Sequence, residues 1–215
     1  MNLALFDLDH TILNGDSDHA WGLFLAETGV VDAASQQERQ DYFYNEYVNG
    51  TLDIYEFCEY QFTVLTQHKM ADLLDWRAKY IESIVQPMID SGKADLIEHH
   101  RRLGDELVII TATNDFVTSP IAKILNVDVL IATQAEMEDG RYTGRVAGTP
   151  SFKEGKVERL KQWLAQQEQS YEHTVFYSDS YNDMPLLDYA DTPIAVTPDD
   201  RLRQHALAQG WRIID

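Results

Sequence analysis

The sequence predicts an α/β fold, a doubly wound parallel sheet with a block of helices inserted after its first strand. Three observations predict it. Short apolar runs of strand length recur at residues 3–6, 107–110, 127–132, 174–177 and 193–196. Stretches of helical periodicity separate them, the pattern of strands joined by crossover helices. Between the first two runs, residues 16–85 read as helix after helix with no buried strand, whereas an ordinary crossover needs only one helix.

Leu3-Ala4-Leu5-Phe6 is apolar at every position, as a strand buried on both faces is, and it delivers two carboxylates, Asp7 and Asp9, at its exit. Asn14-Gly15-Asp16-Ser17-Asp18 is a turn and a helix start, with Ser17 or Asp18 as N-cap and Trp21, Leu23, Phe24 and Leu25 on the apolar face. Helical spacing continues through 42–48, 54–65 and 70–84, with breaks at Asn49-Gly50-Thr51 and Thr66-Gln67-His68. Pro87 is expected to end this run. Residues 91–103 form an amphipathic helix stopped by Gly104. The strand at 107–110 exits into Thr111-Ala112-Thr113-Asn114, and a helix then starts at Asp115 or at Ser119-Pro120, where Pro120 suits the first helical position. Asp139-Gly140 marks the turn of a hairpin over 138–146. Gly155-Lys156 opens the next helix. The strand at 174–177 exits into Ser178-Asp179-Ser180-Tyr181-Asn182-Asp183; a short helix, a strand at 193–196, a helix from Asp200 and a strand at 211–214 complete the chain. The expected organisation is a core of residues 1–15 and 86–215 and a helical cap of residues 16–85.

With 44% hydrophobic and 25% charged residues, the 215-residue chain has ordinary globular composition. A formal net charge of -19 argues against nucleic acid or an anionic membrane as partner and favours a small substrate with a cationic part. The single cysteine, Cys58, excludes an intrachain disulfide and reads as a buried structural thiol. No basic segment followed by a long apolar core opens the sequence and no stretch is long enough to span a bilayer, so the expected location is the cytoplasm. Nothing in the sequence sets the oligomeric state.

In doubly wound sheets ligands gather at the carboxyl ends of the strands. That rule brings Asp7, Asp9, Thr111, Asp179 and Asp183 to one edge, with Lys156 at a helix start. Two acids as close as Asp7 and Asp9 repel unless a cation or a shared proton intervenes. Mg²⁺ suits them, a hard ion held by one or two carboxylates together with phosphate oxygens and water. Taken singly, each residue has a plainer reading: a turn threonine, a solvated lysine, an Asx turn. Their joint order resembles the haloacid dehalogenase superfamily of phosphohydrolases, whose four motifs appear here as DLDHT, VIIT, the Lys156 region and SDSYND.

The resemblance is to the subgroup related to phosphoserine phosphatase, which carries a helical cap after the first motif. It implies that Asp7 is a nucleophile forming an aspartyl-phosphate, and that Asp9 protonates the leaving oxygen and then deprotonates water. It places Mg²⁺ on the Asp7 carboxylate, the Asp9 backbone carbonyl and the Asp179 carboxylate. Asp183 would orient the metal's water shell or hold the lysine, and Asn182 would brace the loop. Thr111 and Lys156, with backbone amides near Leu8 and Ala112, would cradle the phosphoryl group of a small phosphomonoester. Lys153 stands beside Lys156 as an alternative, and His10 reads as a local positioning residue.

Asp16 matches an acid that binds the substrate ammonium in phosphoserine phosphatases, and Asp18 lies close to it. Both also suit a helix cap. No arginine matches the one that binds the phosphoserine carboxylate, since only Arg39 and Lys69 are basic among residues 16–76 apart from histidine. The matching region carries Tyr55, Glu56, Phe57, Glu59 and Tyr60 instead. A phosphorylated amino alcohol without a carboxylate fits that composition, and L-histidinol phosphate is the expected substrate, with phosphoserine or another small phosphorylated metabolite as the alternative. A phosphate-accepting signalling domain would gather similar residues but needs neither the helical insertion nor Asp9.

Overall fold

In a computed structural model of the chain, residues 1–127 and 129–215 are described, Asp90 without its side chain. Strand β1 (Leu3–Phe6) lies inside a six-stranded parallel sheet, paired with β2 (Glu106–Asn114) on one side and β6 (Thr174–Ser178) on the other. β3 (Val129–Thr133) lies outside β2, and β7 (Thr192–Val196) and β8 (Arg212–Ile214) continue beyond β6. β4 (Ala135–Glu138) and β5 (Arg141–Val146) form a separate antiparallel hairpin. From β1 the chain winds outward through β2 and β3, then returns to build the other half from β6, so the order reverses between β1 and β6. In doubly wound sheets such a reversal is where ligands bind, outside the carboxyl ends of the strands.

The apolar runs alternate between two cores. Ala4, Phe6, Ile109 and Tyr177 enter one, while Leu3, Leu5, Val108, Ile110 and Phe176 enter the other. Burying each leucine, isoleucine, valine or phenylalanine among them contributes roughly 1.5–3 kcal/mol, so the central strands are fixed by both faces at once. The first core is covered by α1 (Ser17–Glu27), α3 (Ile54–Gln67), α4 (Met70–Tyr80), α6 (Asp95–Leu103) and α7 (Asp115–Ile124). The second is covered by α8 (Glu154–Leu164), α9 (Met184–Tyr189) and α10 (Asp200–Gln209). α2 (Ala33–Asn49) lies over α1 and ends at Gly50 in the left-handed conformation. Among the described residues no helix is long and apolar enough to cross a membrane.

Residues 12–14 and 88–93 pass side by side where the inserted helices leave and rejoin the sheet. Asn14 N–H donates to the Met88 carbonyl at 3.0 Å and Lys93 N–H to that of Ile12 at 2.8 Å. A Cβ on Gly92 would lie 2.1 Å from the Ile12 carbonyl oxygen, so only glycine permits this crossing.

Several local expectations are corrected. Of the caps offered for α1, Asp16 takes the role rather than Ser17 or Asp18, its Oδ1 accepting the N–H groups of Asp18 and His19 at 2.9 Å. Pro87 does not end the helical run. A π turn over Ile81–Val85, in which the Gln86 N–H reaches back to the Ile81 carbonyl, leads into α5 (Gln86–Asp90), and the run passes through Pro87 at its second residue. The helix expected from residue 91 starts at Asp95 after turns. β2 runs through Thr111 to Asn114 instead of ending at residue 110, so Thr111 and Thr113 belong to the strand. Pro120 lies inside α7, five residues after its start. The carbonyl it deprives of a partner, that of Phe116, accepts Arg77 Nη1 at 2.7 Å. The strand expected at 127–132 is β3, beginning at Val129; Asp128 lies outside the described residues.

Candidate active site

Asp7 is the first residue beyond β1, and its N–H donates to the Tyr177 carbonyl at 2.9 Å, which holds it at the point of strand reversal. Lys156 reaches it from the first turn of α8. A Cβ on Gly155 would lie 2.1 Å from the Pro150 carbonyl oxygen, so glycine lets the helix start press against the chain and drive the lysine inward. Lys156 is 2% exposed; its ammonium donates to Asp7 Oδ1 and to Asp183 Oδ2, each at 2.7 Å. Burial works to lower the lysine's pKa, but Asp183 and Asp7 outweigh it and the net shift is upward. Asp183 also accepts from Ser178 Oγ at 2.7 Å. Burial pushes the Asp7 carboxyl up to about 7 against the pull of Lys156.

Thr11 joins Asp7 to the loop after β6. Its Oγ1 accepts the Asp179 N–H at 3.0 Å and stands 3.2 Å from both Asp7 Oδ2 and Asp179 Oδ1. One hydroxyl proton cannot serve two carboxylate oxygens together, so one of them lacks this donor at any moment. Burial, then Asp7 and Asp183, push the Asp179 carboxyl well above the ordinary range. Among the described residues no group of three or more His, Cys, Asp or Glu side chains is arranged to hold a metal ion. The carboxylates of buried Asp7 and half-buried Asp179, each 3.2 Å from Thr11 Oγ1, are nevertheless hard oxygen donors of the kind Mg²⁺ takes from proteins.

Asp9 has a partner at each oxygen: Ser17 N–H donates to Oδ1 at 2.6 Å and Thr113 Oγ1 to Oδ2 at 2.8 Å. Burial and the charge of Asp16 raise its carboxyl to about 6, against these hydrogen bonds. Thr111 is buried on β2, its Oγ1 accepting the Thr113 N–H at 3.2 Å. Leu8 is buried and Ala112 half-buried on the chain beside Asp7 and Thr111. Asn182 Nδ2 donates to the Tyr47 carbonyl at 3.2 Å, and Tyr47 OH to Ser180 Oγ at 2.6 Å, tying the end of α2 to the Asp179–Asp183 loop.

The structure brings Asp7, Asp9, Thr111, Lys156, Asp179 and Asp183 to one edge of the sheet. It separates the two lysines. Lys153 turns away to donate to the Gly50 carbonyl at 2.8 Å, while Lys156 occupies the site. His10 is exposed in the left-handed conformation, its N–H donating to the Gly15 carbonyl at 2.9 Å. Asp18 is buried behind Asp16 and accepts from Gln61 Nε2 and, at 3.4 Å, from Asn114 Nδ2. Burial, then Asp16 and Asp9, push its carboxyl well above the ordinary range. Sequence reasoning gave no role to Thr11, Thr113, Ser178 or Asn114. Thr113 was detectable, since residues two apart on a strand share a face and Thr111 was already placed there.

A family model for haloacid dehalogenase-like hydrolases matches residues 4–188. A histidinol-phosphatase of Neisseria meningitidis serogroup C (strain 8013) is 42% identical over 218 residues, covering 100% of this chain and 98% of that protein. Phosphoserine phosphatase SerB1 of Mycobacterium tuberculosis is 28% identical, with 99% of this chain and 70% of that protein covered. Among solved structures, a protein of unknown function from Bordetella pertussis Tohama I superposes with a TM-score of 0.93 at 44% identity, over 100% of this chain and 98% of that one. A substrate-bound phosphoserine phosphatase superposes with a TM-score of 0.71 at 20% identity over 99% and 92%, a likeness of fold.

Proposed function

We propose, from the premise that the chain belongs to the haloacid dehalogenase-like hydrolases and is a phosphatase, that it hydrolyses L-histidinol phosphate through an aspartyl-phosphate on Asp7. The observation that carries the reading is the buried ammonium of Lys156 shared by Asp7 and Asp183, with Asp9 alongside. An oxygen of Asp7 attacks phosphorus while the bond to the ester oxygen breaks, and Asp9 gives that oxygen a proton. Water then attacks the phosphoryl group, Asp9 takes its proton, and Asp7 is released. Lys156 and Thr111, with backbone amides near Leu8 and Ala112, hold the equatorial oxygens. Asp7, the Asp9 carbonyl and Asp179 would hold Mg²⁺, which when bound neutralises charge on the phosphoryl oxygens. Asp183 keeps Lys156 in place, and Asn182 braces the loop against α2.

The substrate assignment rests on charge. Asp9, Asp16 and Asp18 gather three carboxyls at the start of α1, close enough that Asp16 raises the other two, which suits a leaving group carrying an ammonium or imidazolium. Arg39 is engaged with Glu56 at 3.3 Å and lies over the rings of Tyr42, Phe43 and Tyr60, which supports a substrate without a carboxylate. The 42% identity to a histidinol-phosphatase over nearly the whole of both chains supports the same choice. Residues 16–85 are assigned as a cap over a core of residues 1–15 and 86–215, and a cytoplasmic metabolite phosphatase fits a net charge of -19. The test compares kcat/KM for L-histidinol phosphate, phosphoserine and phosphoethanolamine with Mg²⁺ and with chelator. Highest efficiency with L-histidinol phosphate, abolished by chelation, is expected. Preference for phosphoserine would reject the charge argument.

A further inference from the structure

A proton must pass through Asp9 twice in each turnover, yet both carboxyl oxygens already have partners, and the partners differ in kind. The Ser17 N–H at Oδ1 can only donate, so it favours an unprotonated oxygen there throughout. The Thr113 hydroxyl at Oδ2 both donates and accepts, and its hydrogen rotates to suit. Oδ2 is therefore the oxygen that gains and loses a proton without leaving a buried polar group unmatched. Thr113 is well placed for this. It is 7% exposed, fixed in β2, with its N–H held by Thr111 Oγ1 at 3.2 Å.

We propose that Thr113 is a positioning residue that assigns the travelling proton to Asp9 Oδ2; this rests on the reading of Asp9 as acid and base in the phosphatase reaction. While the acid waits for substrate, Oδ2–H is held by the Thr113 oxygen; with the ester oxygen in place the proton turns to that oxygen, and Thr113 turns to donate to the other lone pair of Oδ2. As the phosphorus to ester-oxygen bond breaks, the proton moves from Oδ2 to the ester oxygen, and Thr113 stays as donor to the carboxylate left behind. When water attacks the aspartyl-phosphate, its proton returns to Oδ2 and Thr113 turns back.

The test uses leaving groups of different need. An alkyl ester requires a proton on its departing oxygen, whereas p-nitrophenolate leaves without one. kcat/KM is measured for wild type, Thr113→Val and Thr113→Ser with p-nitrophenyl phosphate and with an alkyl ester that the wild type turns over, L-histidinol phosphate in the first instance. Thr113→Val keeps the side-chain shape and should lose roughly 10- to 100-fold on the alkyl ester, a part of the usual general-acid contribution, and less than about threefold on the aryl ester. Thr113→Ser should recover the alkyl-ester rate to within about threefold, since its hydroxyl can donate and accept in the same way. Equal losses on both esters, or a serine variant as impaired as the valine one, would overturn the role of Thr113 while leaving the phosphatase reading intact. Wild-type turnover of neither kind of ester would overturn that reading and this inference with it.

Discussion

Replacing Lys156 with methionine removes the charge at the centre of the site while keeping most of the side-chain volume. The ammonium lies 2.7 Å from an oxygen of Asp7 and 2.7 Å from an oxygen of Asp183. At an effective dielectric of about 20 each contact amounts to about 6 kcal/mol of attraction before desolvation, and desolvation takes several kcal/mol per ion. The net worth of the cluster is therefore small, but the cost of breaking it is not. Two buried carboxylates lose their cation, which typically destabilises by about 3–5 kcal/mol against a total stability of about 5–15 kcal/mol. Asp183 keeps Ser178 and Asp7 retains the Thr11 hydroxyl it shares with Asp179, so the lower end, about 3 kcal/mol, is expected. The pH dependence has a definite sign. Without Lys156, burial raises the Asp7 carboxyl unopposed, so the folded variant binds a proton that the unfolded chain releases, and stability returns as pH falls. Urea unfolding without divalent ions should show the deficit at pH 8 shrinking by about 1 kcal/mol or more at pH 5.5. A deficit below about 1 kcal/mol at pH 8, or one independent of pH, would refute the reasoning.

Asp18→Asn should raise the melting temperature at pH 8, by roughly 2–4 °C for each kcal/mol gained. The folded carboxyl is raised by burial, Asp16 and Asp9, so its penalty grows as pH climbs from the ordinary carboxylate range through the folded value; an unchanged or lower melting temperature would count against this. The same variant should show a higher KM for L-histidinol phosphate in steady-state assays. Arg77→Met leaves the Phe116 carbonyl without its donor beside Pro120 and should cost about 1–3 kcal/mol in urea unfolding, with kcat/KM unchanged.

The strands were legible because each central one is buried on both faces and so reads as an unbroken apolar run, as Leu3 to Phe6 does. Their exits then named most of the site, since a doubly wound sheet brings strand ends together. What stayed hidden depended on partners distant in sequence. Pro120 sits in a helix because Arg77, from the inserted helices, takes over the carbonyl it orphans. Pro87 is tolerated because a π turn precedes it. Lys156 and Lys153 looked alike, and burial between two carboxylates separated them. The cap of α1 is Asp16, one of the local candidates, whereas the Ser17 N–H at the same helix start goes to Asp9, a contact no local rule anticipates.

The most direct measurement is acid quenching during turnover of L-histidinol phosphate with Mg²⁺, followed by peptide mapping for a phosphoryl group. The mass of one phosphoryl group on the peptide containing Asp7, absent from an inactive Asp7→Asn variant, is the expected result. Steady turnover with no phosphoryl group on Asp7, or with the label on another residue, would contradict the mechanism.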